Sequence, residues 1–222
     1  MDRFEKLYQR AIKNKGGRDA LEAVLPVAKS PKELAVIGDD RYLSMMARCI
    51  FRAGFVWKVI DNKWPGFEEA FNGFNPLVVA HYSDEKLEAL AQDGRIVRNL
   101  QKISATRENA VMVLDMQREH GSFARFVADW PVDDIVGLWQ FLKKRGARLG
   151  GNTGPMLLRS MGKDTFILTE DVCAALLHHG LMEKFSATSV RDQQQIQQVF
   201  LSLQAESGRA LCQISRILAY TV

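Results

Sequence analysis

The stretch that most constrains this chain runs from Leu149 to Gly180, LGGNTGPMLLRSMGKDTFILTEDVCAALLHHG. It opens with Gly150, Gly151 and Gly154 around Asn152 and Thr153. Upstream, residues Asp133 to Arg145 repeat their apolar positions at helical spacing and stop at Gly146. Downstream, Gly154 to Met161 do the same and stop at Gly162. The pattern predicts two helices joined by a short glycine-rich turn, a helix–hairpin–helix. Glycine admits positive φ and lets another backbone approach closely. The N–H groups that begin the second helix have no intrahelical partner and sit at the positive end of its dipole. A phosphodiester oxygen can accept from them without any side chain. Lys143, Lys144, Arg145 and Arg148 add charge beside the turn. An ordinary pair of helices with glycine stops would carry the same glycines, so the residues alone leave both readings open.

Composition sets wider bounds. With 222 residues and 47% hydrophobic content, the chain is long enough for one core shared by two lobes. A formal net charge of +4 suits a nucleic-acid binder without requiring one. Cys49, Cys173 and Cys212 are odd in number, far apart and set in apolar runs, which predicts buried, reduced thiols. His81, His120, His178 and His179 do not stand at metal-ligand spacing with any cysteine, so no metal site is expected. No run approaches 18 apolar residues, and the N-terminal residues lack a signal-type apolar segment. The expectation is a cytoplasmic protein with no membrane partner.

Along the chain, helical periodicity covers residues 2 to 15, then Arg18 to Val24, a short segment after Ser30-Pro31, and Arg41 to Ala53. Lys63-Trp64-Pro65-Gly66 predicts a turn, with a brief helix over Phe67 to Phe71 after it. Further helices are expected after Asn75-Pro76 and after Ser83, over 98 to 120, and over 191 to 206 with a final one behind Gly208. No strand alternation, repeat or low-complexity tract is visible. The expected class is all-α: residues 1–222 as a single two-lobed domain, with the first two and last two helices packed as one lobe.

From about Tyr42 to Gly180 the chain resembles the 3-methyladenine DNA glycosylase I (Tag-like) family of the helix–hairpin–helix DNA glycosylase superfamily. The segments FRAGFVWKVI (51–60), FNGFNPLVVAHYSDEKLEALAQDGRIVRNLQKISATRENA (71–110) and LKKRGARLGGNTG (142–154) carry the likeness. It leaves the helices of 1–40 and 186–222 as additions. The resemblance implies an enzyme that binds double-stranded DNA, flips a nucleotide and hydrolyses the N-glycosidic bond of an alkylated, 3-methyladenine-like base. The alternative is a non-catalytic DNA-binding relative that has lost its carboxylate.

Carried over residue by residue, Trp57 matches the family's base-stacking tryptophan, and Phe55 lies where an apolar side chain could wedge into the duplex. Both also fit a core role. The family's base-contacting Glu falls on Cys49, and Tyr42 is a further candidate aromatic face. The superfamily's catalytic Asp falls on Thr169, which leaves Glu170 and Asp171 as the candidate carboxylates. The Thr-Glu-Asp run reads first as a helix cap with acids in the first turn, ahead of a catalytic role. Phosphate binding maps to Gly150, Gly151, Asn152, Thr153, Gly154, Lys143, Lys144, Arg148 and Arg98, with Arg95 and Lys102 as further basic candidates. The family's zinc residues are not recognisable, so no zinc is expected; a monovalent cation on the hairpin carbonyls, as in some relatives, is left open. A monomer is expected.

Overall fold

The structure is a computed structural model that describes residues 3–222. Residue 2, where the first helix was expected to start, lies outside them. Every regular element among the described residues is helical: α1 (Arg3–Lys15), α2 (Arg18–Glu22), α3 (Pro31–Ala35), α4 (Asp39–Arg52), α5 (Trp57–Ala70), α6 (Pro76–Ala80), α7 (Asp84–Leu90), α8 (Leu100–His120), α9 (Phe123–Asp129), α10 (Ile135–Arg145), α11 (Thr153–Met161), α12 (Glu170–His178), α13 (Val190–Ser207) and α14 (Leu211–Ala219).

Local chemistry sets the starts. Ser30 accepts from the Glu33 N–H while the Glu33 carboxylate accepts from the Ser30 N–H at 2.8 Å, a capping box ahead of Pro31. The Asn75 side chain accepts from the N–H groups of Leu77 and Val78 ahead of Pro76. Thr169 accepts from the Val172 N–H at 3.3 Å and so caps α12.

The central strut is α4, which packs on α8, α5, α9 and α11. At its start, the Asp39 carboxylate accepts from Gln117 Nε2 at 2.8 Å and from the N–H groups of Phe123 and Ala124 at 2.9 and 2.8 Å. One carboxylate thus fixes α4, α8 and the beginning of α9 together. On the other side, α1 packs on α13 and α14, and α14 packs on α12.

Two expectations of local structure are corrected. The turn predicted at 63–66 does not form, and α5 runs unbroken through Pro65. Trp64 and Phe67 share one buried face, with ring centroids 4.9 Å apart, and helical geometry is what brings positions i and i+3 together. That packing offsets the hydrogen bond the proline removes. The helix expected from Asp133 onward also starts late: residues 132–134 form a single 3₁₀ turn before α10. Among the cysteines, which are all free, Cys49 and Cys212 are buried but Cys173 is only half-buried. No described helix is long and apolar enough to cross a membrane.

Candidate active site

Residues 146–152 turn the chain from α10 into α11. Asn109, wholly buried on α8, grips the turn: its Oδ1 accepts from the Ala147 N–H at 2.8 Å and its Nδ2 donates to the Ala147 carbonyl at 3.0 Å. Two glycines are required by close approach. A Cβ on Gly154 would lie 2.8 Å from the Leu149 carbonyl oxygen, and one on Gly146 the same distance from that of Leu142. The N–H groups of Gly150, Gly151 and Asn152 have no acceptor among the described residues. Lys143 and Lys144 are exposed on the last turn of α10. Arg148, also exposed, donates to Gln101 of α8, and Arg98 is exposed in the segment leading into that helix. The turn with Lys143, Lys144 and Arg148 makes a basic edge.

Two other expected phosphate contacts do not belong to it. Arg95 is held by Asp93 at 2.7 Å and Glu69 at 3.1 Å, and the guanidinium keeps the Asp93 carboxyl down at about 2. Lys102 is buried; its Nζ donates to the carbonyls of Phe51 at 3.2 Å and Ala53 at 2.7 Å, closing the end of α4.

Beside this edge lies a cavity of about 770 Å³. One wall is the end of α4, the link 53–56 and the start of α5: Cys49, Arg52, Phe55, Val56 and Trp57. The link is an exposed apolar tip, with Phe55 44% and Trp57 50% accessible. A cation backs each ring. Arg52 lies 4.9 Å from the Trp57 centroid, and Lys102 lies 4.9 Å from that of Phe55. The core reading open to both aromatics in the sequence is therefore not the one the fold realises. The rest of the lining comes from the hairpin, α11, the segment before α12 and α14: Asn152, Thr153, Met156, Arg159, Ile167, Thr169 and Arg216. The Asn152 side chain donates to the Leu168 carbonyl at 2.8 Å, which ties the hairpin to the segment that carries Thr169.

The electrostatics of the cavity are one-sided. Among the described residues, no carboxylate lines it. Asp61 stands behind Arg52 and takes both Arg52 and Arg48, at 2.6 and 2.8 Å. Asp164 is occupied at the start of α14, where it accepts from the N–H groups of Leu211 and Cys212 at 3.0 and 2.8 Å. Burial raises the Cys49 thiol to about 11, so it is neutral near pH 7. Burial also lowers Arg159, to about 10, which leaves it charged.

Several expected site residues come together here, and others do not. Cys49, Phe55, Trp57, Asn152 and Thr153 share the cavity. Tyr42 is not on it. It sits two turns before Cys49 on the same face of α4, some 10 Å down the axis at about 1.5 Å per residue, wholly buried edge-on to Phe123. Glu170 and Asp171 are exposed in the first turn of α12 and do not line the cavity; Thr169, the residue before them, does. Among the described residues, no group of three or more His, Cys, Asp or Glu is arranged to hold a metal ion.

Sequence reasoning missed Arg159 and Arg216 on the cavity and Asn109 beneath the turn. Arg159 looks like any helix-surface residue, and Arg216 lies in a helix outside the resembling segment. Only Asn109, a polar residue in the apolar stripe of a long helix, carried a local signal.

The sequence model of the methyladenine glycosylase family matches residues 34–149, starting before Tyr42 and stopping at the hairpin. The DNA-3-methyladenine glycosylase 1 of Escherichia coli (strain K12) is 34% identical over 76 residues, which are 34% of this chain and 41% of that protein. The match thus spans about two fifths of that curated relative. A crystal structure of a 3-methyladenine DNA glycosylase I superposes with a TM-score of 0.51 at 23% identity, covering 65% of this chain and 87% of the other. The 3-methyladenine DNA glycosylase I from Staphylococcus aureus gives 0.51 at 25% identity, covering 56% and 77%. These likenesses establish a shared all-α fold.

Proposed function

From the premise that the chain belongs to the methyladenine glycosylase family, we propose that it is a DNA glycosylase of base-excision repair, acting on an alkylated base flipped out of duplex DNA. The observation that carries this reading is the junction of two surfaces on one cavity. Trp57, half-exposed, offers an aromatic face, and Asn152 and Thr153 of the hairpin line the same space. A turn that holds the backbone and a ring that stacks a base are the two things an extruded nucleotide needs. Duplex DNA is then the partner, with the basic edge of Lys143, Lys144 and Arg148 meeting phosphates.

The chemistry tolerates a cavity without a carboxylate. A ring-nitrogen-alkylated purine already carries positive charge. When the N-glycosidic bond breaks, the electron pair goes to the base, which leaves neutral and needs no acid. Water adds to C1′ and gives its proton to solvent. The residues here bind, orient and exclude water. A monovalent cation on the hairpin carbonyls would serve phosphate binding rather than this step, and a monomer in the cytoplasm is the working form of the reading.

Incubation with methylated duplex DNA tests it. Mass spectrometry should find a released methylated purine, with alkali-labile abasic sites appearing in equal number. Salt-dependent DNA binding with no base released would instead identify a binding protein without glycosylase activity.

A further inference from the structure

We infer that Arg52 is a positioning residue for base stacking: held by Asp61, its guanidinium braces one face of the Trp57 ring and leaves the other face for the base. The inference rests on the glycosylase reading of the cavity and says what sets the aromatic surface that this reading uses.

The brace is one end of a ladder between two packed helices, α4 and α5. On α5, Trp57, Asp61 and Trp64 stand at positions i, i+4 and i+7, which share one helix face. On α4, Arg48 and Arg52 stand one turn apart. Asp61 is the common rung. Its Oδ1 accepts from Arg48 Nε and Nη2 at 3.0 and 2.8 Å, and from Arg52 Nε and Nη2 at 3.1 and 2.6 Å. Each arginine also lies over a tryptophan of α5. Arg48 is 5.3 Å from the Trp64 centroid, and Arg52 is 4.9 Å from that of Trp57. The two ends differ in their surroundings. Trp64 is buried and stacks with Phe67 and Phe74, at centroid distances of 4.9 and 5.6 Å. Trp57 is half-exposed and lines the cavity together with Arg52. The core fixes the inner end, and Asp61 passes that register to the outer one.

The place of Trp57 makes a brace necessary. It is the first residue of α5, and that helix start has no side-chain cap. An exposed side chain there changes rotamer on the picosecond-to-nanosecond scale. Arginine suits the task. Its planar guanidinium stacks flat on an aromatic face while its fork of N–H groups is held by a carboxylate; a lysine ammonium is a compact point charge that offers neither. A ring ordered before the base arrives lowers the entropy that stacking would otherwise cost.

The test is a double-mutant cycle on single-turnover base release from methylated duplex DNA, built from Arg52→Met and Trp57→Ala. Arg52→Met keeps an apolar stem, and Arg48 remains to pair with Asp61 at 2.8 Å. Alone, it should slow release by about fivefold or more, because a misplaced stacking ring costs rate, with DNA affinity near that of the wild type. In the Trp57→Ala background the same change should alter the rate less than about twofold, since Arg52 acts through the ring. Arg52→Lys keeps the charge without the fork and should not restore the rate. Equal slowing in both backgrounds, or full activity of Arg52→Met or Arg52→Lys, would overturn the inference. A second readout needs no catalysis. Time-resolved tryptophan anisotropy, with Trp57→Phe as the reference for the remaining tryptophans, should show Trp57 turning with the whole molecule in the wild type. Arg52→Met and Asp61→Asn should each add sub-nanosecond motion of that ring. Unchanged Trp57 motion in both variants would refute the brace. A chain that releases no base refutes the glycosylase reading, and the anisotropy then decides the brace by itself.

Discussion

The two walls of the cavity solve different problems. The α4–α5 wall is an apolar tip whose exposed rings are each backed by a cation, Arg52 behind Trp57 and Lys102 behind Phe55. The α11–α14 wall mixes apolar Met156 and Ile167 with Asn152 and Thr153 of the hairpin and with Arg159 and Arg216. The first wall lies wholly within the family-matching segment; the second lies beyond it. The difference teaches that the family-matching segment supplies the stacking surface, while elements after it complete the cavity.

The comparison can be broken first at the hairpin. Neutralising both exposed lysines, Lys143→Gln with Lys144→Gln, should weaken duplex binding about 30-fold at physiological salt and flatten the salt dependence by about two, if each meets one phosphate. Filter binding at several salt concentrations would show it, and an unchanged slope would detach the basic edge from DNA. Next is the support beneath the turn. Asn109→Ala removes both bonds to half-buried Ala147, which should lower stability by about 2 kcal/mol. Urea unfolding measures that loss, and DNA affinity should fall with it.

The Cys49 thiol sharpens the contrast more gently. Its folded value of about 11 lies above the ordinary thiol range. The neutral form is the one the fold favours, so this contribution to stability is present below the ordinary value and is lost as pH rises through about 11. Native Cys49 should accordingly react slowly with iodoacetamide at pH 8 and quickly once the chain is unfolded in urea. The smallest effect is expected outside the cavity. Glu170→Gln with Asp171→Asn should change base release less than about twofold and stability within about 0.5 kcal/mol, because both side chains are exposed in the first turn of α12. A larger loss of release would return these carboxylates to the chemistry.

Much of this was legible in the sequence because it depends on spacing. The hairpin could be read from glycines at two helix ends, and Thr169 from its capping position, since both are local patterns. Trp57 came from the family resemblance. What stayed hidden depends on long-range packing. Pro65 reads as a break, and only the buried pairing of Trp64 with Phe67 keeps α5 whole. Tyr42 reads in the sequence only as a further aromatic face; the fold buries it against Phe123, away from the cavity. Lys102 reads as a surface cation but closes α4 from within the core. Arg216 lies 62 residues beyond Gly154 by chain number and meets the hairpin helix only through the tertiary fold.

The most direct test of the cavity as the place of base release is single-turnover release from methylated duplex DNA by the wild type and Trp57→Ala, with enzyme in excess. Trp57 is half-exposed, so its removal should leave folding and overall DNA affinity nearly intact. The loss of one base–aromatic stack, about 1–3 kcal/mol, predicts a release rate lower by roughly 5- to 150-fold. A rate equal to that of the wild type, with the variant folded and bound to DNA, would contradict the account and move the chemistry elsewhere.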